Sequence, residues 1–394
     1  MKAIIAGGGI GGLTAALALS RIGWDVTVLE RADTPGEVGA GVQISPNGMR
    51  VLRWLDVAAD LEPFLFEPEA IEMRLGQSGR PIFSLPVDRL VGGEDGRGPL
   101  YVQVHRADLV QVLRARLEAV TPGRFLAGQI AIGYRQTAHG AEVELATGER
   151  LGGDLVLGAD GIGSVFARQM HPDIRPTFSG YAAWRMLVPV DQLEGAPPPP
   201  TGCIWVGRGR HVVTTRVRKG DVVNLVGVVE TPDWDAEGWG TKESASDALS
   251  DFDGWHPSIL SCLRSVDVIW RWGLFERDPL PSWSDGSVGL LGDAAHPMLP
   301  SMAQGAVQAM EDAAVLARLL ERKTVREALP QYYELRSERS QRIAALSARN
   351  VRLFHKKNAL ARAATYGPAW LAGRLAPGVL KRRSSWIYDF DPTE

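Results

Sequence analysis

The chain contains little that would tie it to an oxidising compartment, a membrane or a nucleic acid. It has two cysteines in 394 residues, Cys203 and Cys262, which lie far apart and form no CxxC pair. We therefore expect no disulfide framework and no metal site, and a cytoplasmic location fits this pattern. No apolar run of the roughly 18 residues that a membrane helix needs is present. The formal net charge of −3 argues against a nucleic-acid partner.

Internal repeats are also absent. A chain of 394 residues is long enough for two or three domains and for a large apolar core. Residue 1 leads directly into a predicted strand, so we expect no signal peptide. We also expect no stable membrane association, and the sequence leaves open whether the chain forms a homodimer.

The first thirty residues carry the most informative pattern. An apolar run leads into a glycine-rich turn, Gly7-x-Gly9-x-x-Gly12, then into an alanine-rich helix and a second strand that ends at Glu30. In such a unit the glycines allow a tight turn, close approach of a pyrophosphate and close packing of the helix, in that order. The helix N-terminus offers N–H groups to phosphates, and the acid can bind a ribose. The pattern predicts dinucleotide binding rather than an ordinary glycine-rich turn.

Two further buried strands run into turns that carry an aspartate. The strand from Leu155 to Gly158 is followed by Asp160. This aspartate either contacts a ligand or caps the next helix, and the residues alone leave both interpretations open. The other strand ends in a Gly-Asp-Ala-Ala-His-Pro run at 292–297, which leads into a long helix.

The region between these two motifs differs in composition. Residues 181–229 contain several segments typical of antiparallel strands, and residues 69–86 and 130–146 alternate as hairpins do. The predicted fold class is therefore α/β, with a strand-rich unit inserted into it.

The three motifs, in this order, closely resemble those of the single-component FAD-dependent aromatic hydroxylases, the para-hydroxybenzoate hydroxylase-like group. Within that group the chain is most similar to the salicylate, 3-hydroxybenzoate and 6-hydroxynicotinate hydroxylases. The similarity covers residues 1–355. There is no second glycine fingerprint and no redox CxxxxC, so a separate NAD(P)H-binding Rossmann domain and dithiol chemistry are not expected.

The resemblance implies a Rossmann-like FAD-binding domain, an inserted antiparallel β-sheet substrate domain and C-terminal helices. The implied boundaries are 1–175 for the first part of the FAD-binding domain, 176–275 for the substrate domain, 276–345 for the return of the FAD-binding domain, and 346–394 for the helical tail.

The resemblance also implies which residues bind FAD. The first motif would hold the ADP half, Asp160 would serve both FAD and the nicotinamide cofactor, Asp293 would bind the ribityl chain, and the turn at 305–306 would lie at the isoalloxazine. The full implied set is Gly7, Gly9, Gly11, Gly12, Glu30, Arg31, Val42, Arg106, Asp160, Asp293, Gly305 and Ala306.

The implied activity is that of an FAD-dependent monooxygenase. NADH or NADPH would reduce FAD, and O2 would then form a flavin hydroperoxide that hydroxylates a small phenolic or N-heteroaromatic acid. The protein must exclude water, orient the ring and ionise a phenol. His211 is our candidate base, because its ordinary pKa of ~6.5 suits proton transfer near neutrality and related hydroxylases carry a histidine here. A histidine that only packs is the alternative.

Further residues are candidates for contact with the substrate. A carboxylate would need a cation, which Arg185 or Arg216 can supply if its side chain faces the site. The other candidates are Cys203, Thr215, Pro297 and Pro300. Cys203 is a candidate because the 6-hydroxynicotinate hydroxylases carry a cysteine near the substrate at this place, and a cysteine that only packs in the core is the alternative. Because Ser301 and Thr215 differ from the residues that related hydroxylases carry there, the substrate is left open.

Two other functions compete with the hydroxylation of a small aromatic acid. The same fold can serve an epoxidase or hydroxylase that acts on a larger natural product. It can also serve a flavin-binding protein without hydroxylase activity. An intact His211 and Asp293 favour an enzyme.

Overall fold

The computed structural model describes residues 1–33, 40–88, 101–234, 240–375 and 385–394. Its strands are β1 (Lys2–Ala6), β2 (Asp25–Leu29), β3 (Gly41–Ile44), β4 (Ala70–Leu75), β5 (Pro81–Pro86), β6 (Val102–His105), β7 (Phe125–Leu126), β8 (Ala131–Gln136), β9 (Ala141–Leu145), β10 (Arg150–Gly153), β11 (Leu155–Gly158), β12 (Thr177–Pro189), β13 (Gly202–Gly207), β14 (Arg210–Val217), β15 (Val222–Glu230), β16 (Gly240–Ser244), β17 (Val268–Glu276), β18 (Ser284–Asp285) and β19 (Val288–Leu290).

The helices surround these strands and pack against them. They are α1 (Ile10–Arg21), α2 (Pro46–Trp54), α3 (Ala58–Leu61), α4 (Arg106–Val120), α5 (Val165–Met170), α6 (Ala245–Asp251), α7 (Pro257–Arg264), α8 (Gly305–Leu320), α9 (Val325–Phe354) and α10 (Ala359–Leu375). Within the described ranges, none of them is both long and apolar enough to cross a bilayer.

A six-stranded sheet forms the first layer, in the order β18-β19-β11-β1-β2-β7. It is parallel apart from the β18–β19 pair. Its central strands are short apolar runs that are buried on both faces, as a parallel sheet covered by helices requires. Ala6 lies opposite both Leu29 and Gly158, so the carboxyl ends of β1, β2 and β11 lie at the same edge of the sheet. Ligands of such sheets bind outside this edge.

An eight-stranded sheet forms the second layer, in the order β16-β17-β12-β15-β14-β13-β4-β5. It is antiparallel except where β13 pairs with β4. The predicted hairpin at 69–86 is confirmed as β4–β5. Its parallel pairing with β13 was not predicted, because the two segments are far apart in sequence and no local pattern indicates the contact. This sheet therefore contains strands from residues 70–86 as well as from the region after 176. The boundaries at 175, 275 and 345 stay a prediction.

A buried cluster of charges joins helices α8 and α9 to the loop that precedes α8. Helix α9, which begins at a capping box, buries Arg336 completely. The Arg336 guanidinium donates from Nη1 to Glu311 Oε2 at 2.5 Å and from Nε to Asp312 Oδ1 at 2.8 Å. Asp312 Oδ2 in turn accepts the Gly292 N–H at 3.1 Å, and Glu311 Oε1 accepts from Asn47 Nδ2 at 2.5 Å.

Burial acts to raise the pKa values of both carboxyl groups in this cluster. The nearby cations outweigh this effect and hold both pKa values below their ordinary range. Arg336 lowers the pKa of Glu311, and His296 and Arg336 lower the pKa of Asp312. The carboxylates are therefore charged in the folded chain, and each depends on its cation.

We expect Arg336→Met to lower the free energy of unfolding by about 3–5 kcal/mol, because two buried carboxylates lose their cation. Urea denaturation with excess FAD measures this loss, and Arg349→Met on the exposed face of α9 is the control. Because both folded pKa values are lowered, the stabilisation is complete above an unfolded pKa of about 4 and is lost as the pH falls below it. A loss under about 1 kcal/mol at neutral pH would contradict this role.

Candidate active site

The three positions of the first turn are glycine for different structural reasons. A Cβ at Gly7, which has φ of +120°, would lie 2.2 Å from the Ala159 carbonyl oxygen, and one at Gly12 would lie 1.9 Å from the Gly7 carbonyl oxygen. The protein itself therefore requires both. At Gly9 the nearest atom to a Cβ is Arg106 Nη2, 3.9 Å away. The protein does not require that glycine, which fits a ligand that approaches the backbone there.

The neighbouring predicted contacts lie at the same edge of the parallel sheet. Glu30 directly follows β2, and its carboxylate accepts the N–H groups of Gly8 at 2.8 Å and Ala32 at 3.0 Å. Arg31 follows with an exposed side chain. Gly11 lies in the first turn of α1, where a Cβ would come within 2.9 Å of a leucine methyl carbon, so its lack of a side chain serves packing. Its N–H is one of those that a helix start leaves without an intrahelical acceptor.

The two carboxylate oxygens of Asp160 have different roles, one as a helix cap and one with no hydrogen-bond partner among the described residues. Its Oδ2 accepts the Val165 N–H at 2.8 Å at the start of α5. Its Oδ1 is buried and has no hydrogen-bond partner in the described ranges, and burial raises the pKa of the carboxyl group. Arg168, Arg175 and Arg277 line a cavity beside this turn. The turn therefore combines a carboxyl group with three cations.

Asp293 lies between the two sheets, at the N-terminus of α8. A Cβ at Gly305, the first residue of that helix, would lie 3.9 Å from Asp293 Oδ1, and Ala306 follows in the first turn. Asp293 is accessible to solvent but is surrounded by protein atoms, as a residue on a concave wall is. This burial raises the pKa of its carboxyl group, while Arg106 and Arg277 act to lower it.

One face of the eight-stranded sheet faces the first layer. Because side chains alternate along a strand, His211 and Thr215 of β14 share this face. Asn224 Nδ2 donates to Thr215 Oγ1 at 2.9 Å, and both side chains come within 3.0 Å of a Cβ placed at Gly41. Gly41 begins β3, which also carries the half-buried Val42. These predicted residues therefore meet where the layers meet.

Cys203 and Arg216 lie on the opposite face, which corrects the expectation that they contact the substrate. Cys203 pairs with Thr214, whose hydroxyl accepts from Trp205 Nε1 at 3.0 Å inside the core beneath α6 and α7. Cys203 is fully buried there, and burial raises the pKa of its thiol. Arg216 donates to the Pro198 carbonyl at 2.7 Å on that same side. We therefore remove both from the candidate site.

Arg185 lies on the face toward the first layer. It pairs with Val226, which pairs with Val213, and this row alternates in phase with His211. Its guanidinium carbon lies 5.3 Å from the centre of the Trp272 ring, and its buried Nε has no hydrogen-bond partner within the described part of the chain. Burial and the positive charge of Arg106 lower the pKa of Arg185 to about 10.

The loop after Asp293 packs on this same face. Leu299 of that loop clusters with Ala183 and Val228 of the sheet. Pro297 is buried on one side of this contact, and Pro300 is exposed on the other. The two predicted prolines therefore fix the path of a loop that lies between the layers.

His211 has a buried partner that the sequence analysis missed. Its Nδ1 lies 2.7 Å from Nε2 of His355, the C-cap residue that directly follows α9. Burial and then His355 hold the pKa of His211 well below its ordinary value, so the ring is neutral at pH 7. No local pattern could have predicted the pair, because the residues are 144 positions apart.

These two layers define a class of enzyme. One sheet presents a dinucleotide-type glycine turn at its edge, and the other presents a histidine and an arginine toward it. The chain belongs to the family of flavoproteins described as "FAD binding domain", whose sequence profile matches residues 1–347.

Known relatives extend along most of the chain. The 3-amino-4-hydroxybenzoate 2-monooxygenase PtmB3 of Streptomyces platensis is 35% identical over 356 residues, which cover 89% of this chain and 88% of the relative. The 6-hydroxynicotinate 3-monooxygenase of Pseudomonas fluorescens is 31% identical over 351 residues, which cover 88% and 90%. The crystal structure of Klebsiella pneumoniae HpxO complexed with FAD and uric acid matches with a TM-score of 0.83 at 26% identity, and covers 96% of both chains.

The family confirms the resemblance drawn from the three motifs, together with the predicted fold class. The chain is an FAD-dependent monooxygenase that takes NAD(P)H as co-substrate. The residues present fit this cofactor. Gly9 leaves its backbone open to a ligand, Asp160 Oδ1 is buried with no partner among the residues that the structure describes, and Asp293 lies at a helix start.

We expect Gly9→Ala to fold normally but to weaken FAD binding by about 10- to 100-fold, the effect of an overpacking cost of about 1–3 kcal/mol. Fluorescence titration of the apoprotein with FAD measures the change. Gly152→Ala is the matched control, because its Cβ would meet no atom closer than 3.6 Å and lies in the separate β8–β10 sheet. Equal FAD affinity in Gly9→Ala and the wild type would contradict the assignment.

Proposed function

We propose that the chain hydroxylates a small phenolic or N-heteroaromatic acid that lies between the two sheets. The observation that carries this proposal is that Arg185 and His211 share the one face that is turned toward the cofactor-binding edge. The names of the relatives support the substrate class, since two of them are monooxygenases of small aromatic acids. FAD, once reduced by NAD(P)H, supplies the activated oxygen; the chain's own residues bind, orient and ionise the substrate.

Arg185 is suited to bind the substrate carboxylate. Its Nε donor is buried and has no protein acceptor in the described residues, and such a donor is costly unless a ligand satisfies it. The indole of Trp272 lies beside the guanidinium and has a buried Nε1 that also lacks a partner in those ranges. A carboxylate accepting from this side of the sheet would fix the ring against the loop that holds Pro297.

His211 is suited to accept the phenol proton. Its low pKa keeps the ring neutral, so one nitrogen has a lone pair at pH 7. His211 is 2% exposed, and Phe354 packs edge-on against its ring at 5.2 Å between ring centres, so bulk water has little access to it. Ionising the phenol raises the electron density of the ring that is to be oxidised.

FAD and NAD(P)H have different candidate residues apart from Asp160, which would serve both. Gly9, the start of α1, Asp160 and the Asp293 loop would hold FAD. The three arginines at 168, 175 and 277 are suited to the phosphates of NAD(P)H, because they line one cavity beside Asp160.

We infer a cytoplasmic location from the low cysteine content, and the homodimer stays a prediction.

A panel of phenolic and N-heteroaromatic acids, each with its carboxamide analogue, tests the substrate class. We expect some acids to accelerate NAD(P)H oxidation with formation of hydroxylated product. Arg185→Met should raise KM for the acid by about 10- to 100-fold, because a charged hydrogen bond contributes about 1.5–3 kcal/mol.

Two controls accompany this test. KM for the carboxamide should change far less, and Arg208→Met, at an exposed turn of the same sheet, should behave as the wild type. FAD binding without stimulation by any acid would favour the larger-substrate or non-catalytic alternatives.

We expect His211→Ala to keep its FAD but to lower the fraction of NAD(P)H oxidation that yields hydroxylated product by about tenfold or more, since general-base catalysis contributes at least that much. Product and NAD(P)H are measured together across the pH range. An unchanged yield at every pH would remove His211 from the mechanism.

A further inference from the structure

A row of polar atoms leads from His211 to the protein surface. His211 Nδ1 lies 2.7 Å from His355 Nε2, and His355 Nδ1 lies 3.7 Å from Glu230 Oε1. Glu230 Oε2 lies 2.5 Å from Lys357 Nζ. Exposure rises along the row, from 2% for His211 and 4% for His355 to 32% and 66% for the side chains of Glu230 and Lys357.

This row determines which nitrogen of each histidine carries the proton. The Glu230 carboxylate can only accept, and at 3.7 Å its charge favours a hydrogen on the His355 nitrogen that faces it, Nδ1. In a neutral His355 the other nitrogen, Nε2, is then an acceptor. The hydrogen in the 2.7 Å contact must therefore come from His211 Nδ1. In a neutral His211 this leaves Nε2 with a free lone pair, which is the form that a base needs.

We propose that His355 and Glu230 form a proton relay that holds His211 in its basic tautomer and carries the substrate proton to solvent. His355 and Glu230 are positioning residues, since they act through His211. The proposal deepens the proposed function and rests on it.

The relay is needed because neither ring is suited to keep a proton. Burial lowers the pKa of both histidines, to about 4 for His355 although Glu230 acts to raise it. A proton that reached His211 would therefore be released rather than stored. The 3.7 Å gap to Glu230 exceeds a hydrogen bond, and His355 Nδ1 has no hydrogen-bond partner among the described residues. The relay therefore requires the Glu230 side chain to move closer to His355 during the transfer.

Each step of the transfer balances. The phenol O–H bond breaks as a bond to His211 Nε2 forms, and the hydrogen on His211 Nδ1 moves to His355 Nε2. The hydrogen on His355 Nδ1 then moves to Glu230 and to solvent. The substrate is left as a phenolate, and no electron is gained or lost. After the reaction a proton moves inward along the same row, and the hydrogen on His211 Nε2 is given to the product phenolate, which restores the starting tautomers.

Other charged groups lie around this row, and they explain why a proton on it moves toward Glu230 and the solvent. Arg210 and Lys357 act to lower the pKa of His355. The ring of Tyr181 stands edge-on to His355 at 5.0 Å, and burial raises the pKa of that phenol, so it stays neutral. Arg352 and Glu276 act on Tyr181 in opposite senses. Among these groups, Glu230 is the acceptor that lies next to a histidine of the row.

Stopped-flow mixing tests the relay before any oxidation takes place. Oxidised holoenzyme is mixed without O2 with 3-amino-4-hydroxybenzoate, and then with the other phenolic acids of the panel. Phenolate absorbance and a pH indicator report ionisation and proton release. In the wild type we expect both signals in one phase. In His355→Gln and Glu230→Gln, ionisation should be slower by about 100-fold and about tenfold respectively, with Kd changed less than about twofold.

Controls separate this role from a structural one. His139→Gln, in an exposed turn, should behave as the wild type. Added imidazole should restore the rate in His355→Ala, and FAD content and Tm are measured for every variant. Wild-type ionisation rates in both His355→Gln and Glu230→Gln would overturn the relay, as would a wild type that binds the acid without ionising it. If the wild type binds no phenolic acid at all, the proposed function itself fails.

Discussion

The buried guanidinium of Arg336 holds the rest of the site together. Burying a charge is costly, and the cost is offset here because each nitrogen finds an acceptor: Nε at Asp312, Nη1 at Glu311 and Nη2 at Gln308 Oε1, 2.8 Å away. The two acids then reach outward, to the start of the Asp293 loop and to α2. A loop fixed in this way can hold a cofactor in one position, which oxygen transfer requires.

Because side chains alternate along each strand, the two faces of the eight-stranded sheet have different roles. The face that holds Cys203 and Trp205 packs under α6 and α7 and supplies stability. The face that holds His211 and Arg185 lies toward the cofactor-binding edge, and we propose that it carries the chemistry. A shift of one residue in any strand would exchange the two sets, so the pairing of β12 through β15 specifies the site as much as the residues do.

Local patterns predicted the fold class, the glycine turn and the Asp293 loop, because each depends on residues that are close in sequence. Cys203 became a substrate candidate through the family resemblance alone, and local patterns could not test it, because both faces of β13 and β14 are covered and burial alone cannot tell one face from the other. Local patterns also missed His355 and the docking of β4 on β13. Both depend on contacts between distant segments, for which neither strand alternation nor helical periodicity carries a signal.

Incorporation of labelled oxygen is the measurement that tests the account most directly. With 18O2 in unlabelled water, and with an aromatic acid that stimulates NAD(P)H oxidation, the account predicts a product that carries one 18O atom in a new ring hydroxyl. In 18O-labelled water under ordinary O2, the same hydroxyl should be unlabelled. Consumption of NAD(P)H that returns every acid unchanged and converts all the oxygen to hydrogen peroxide would contradict it.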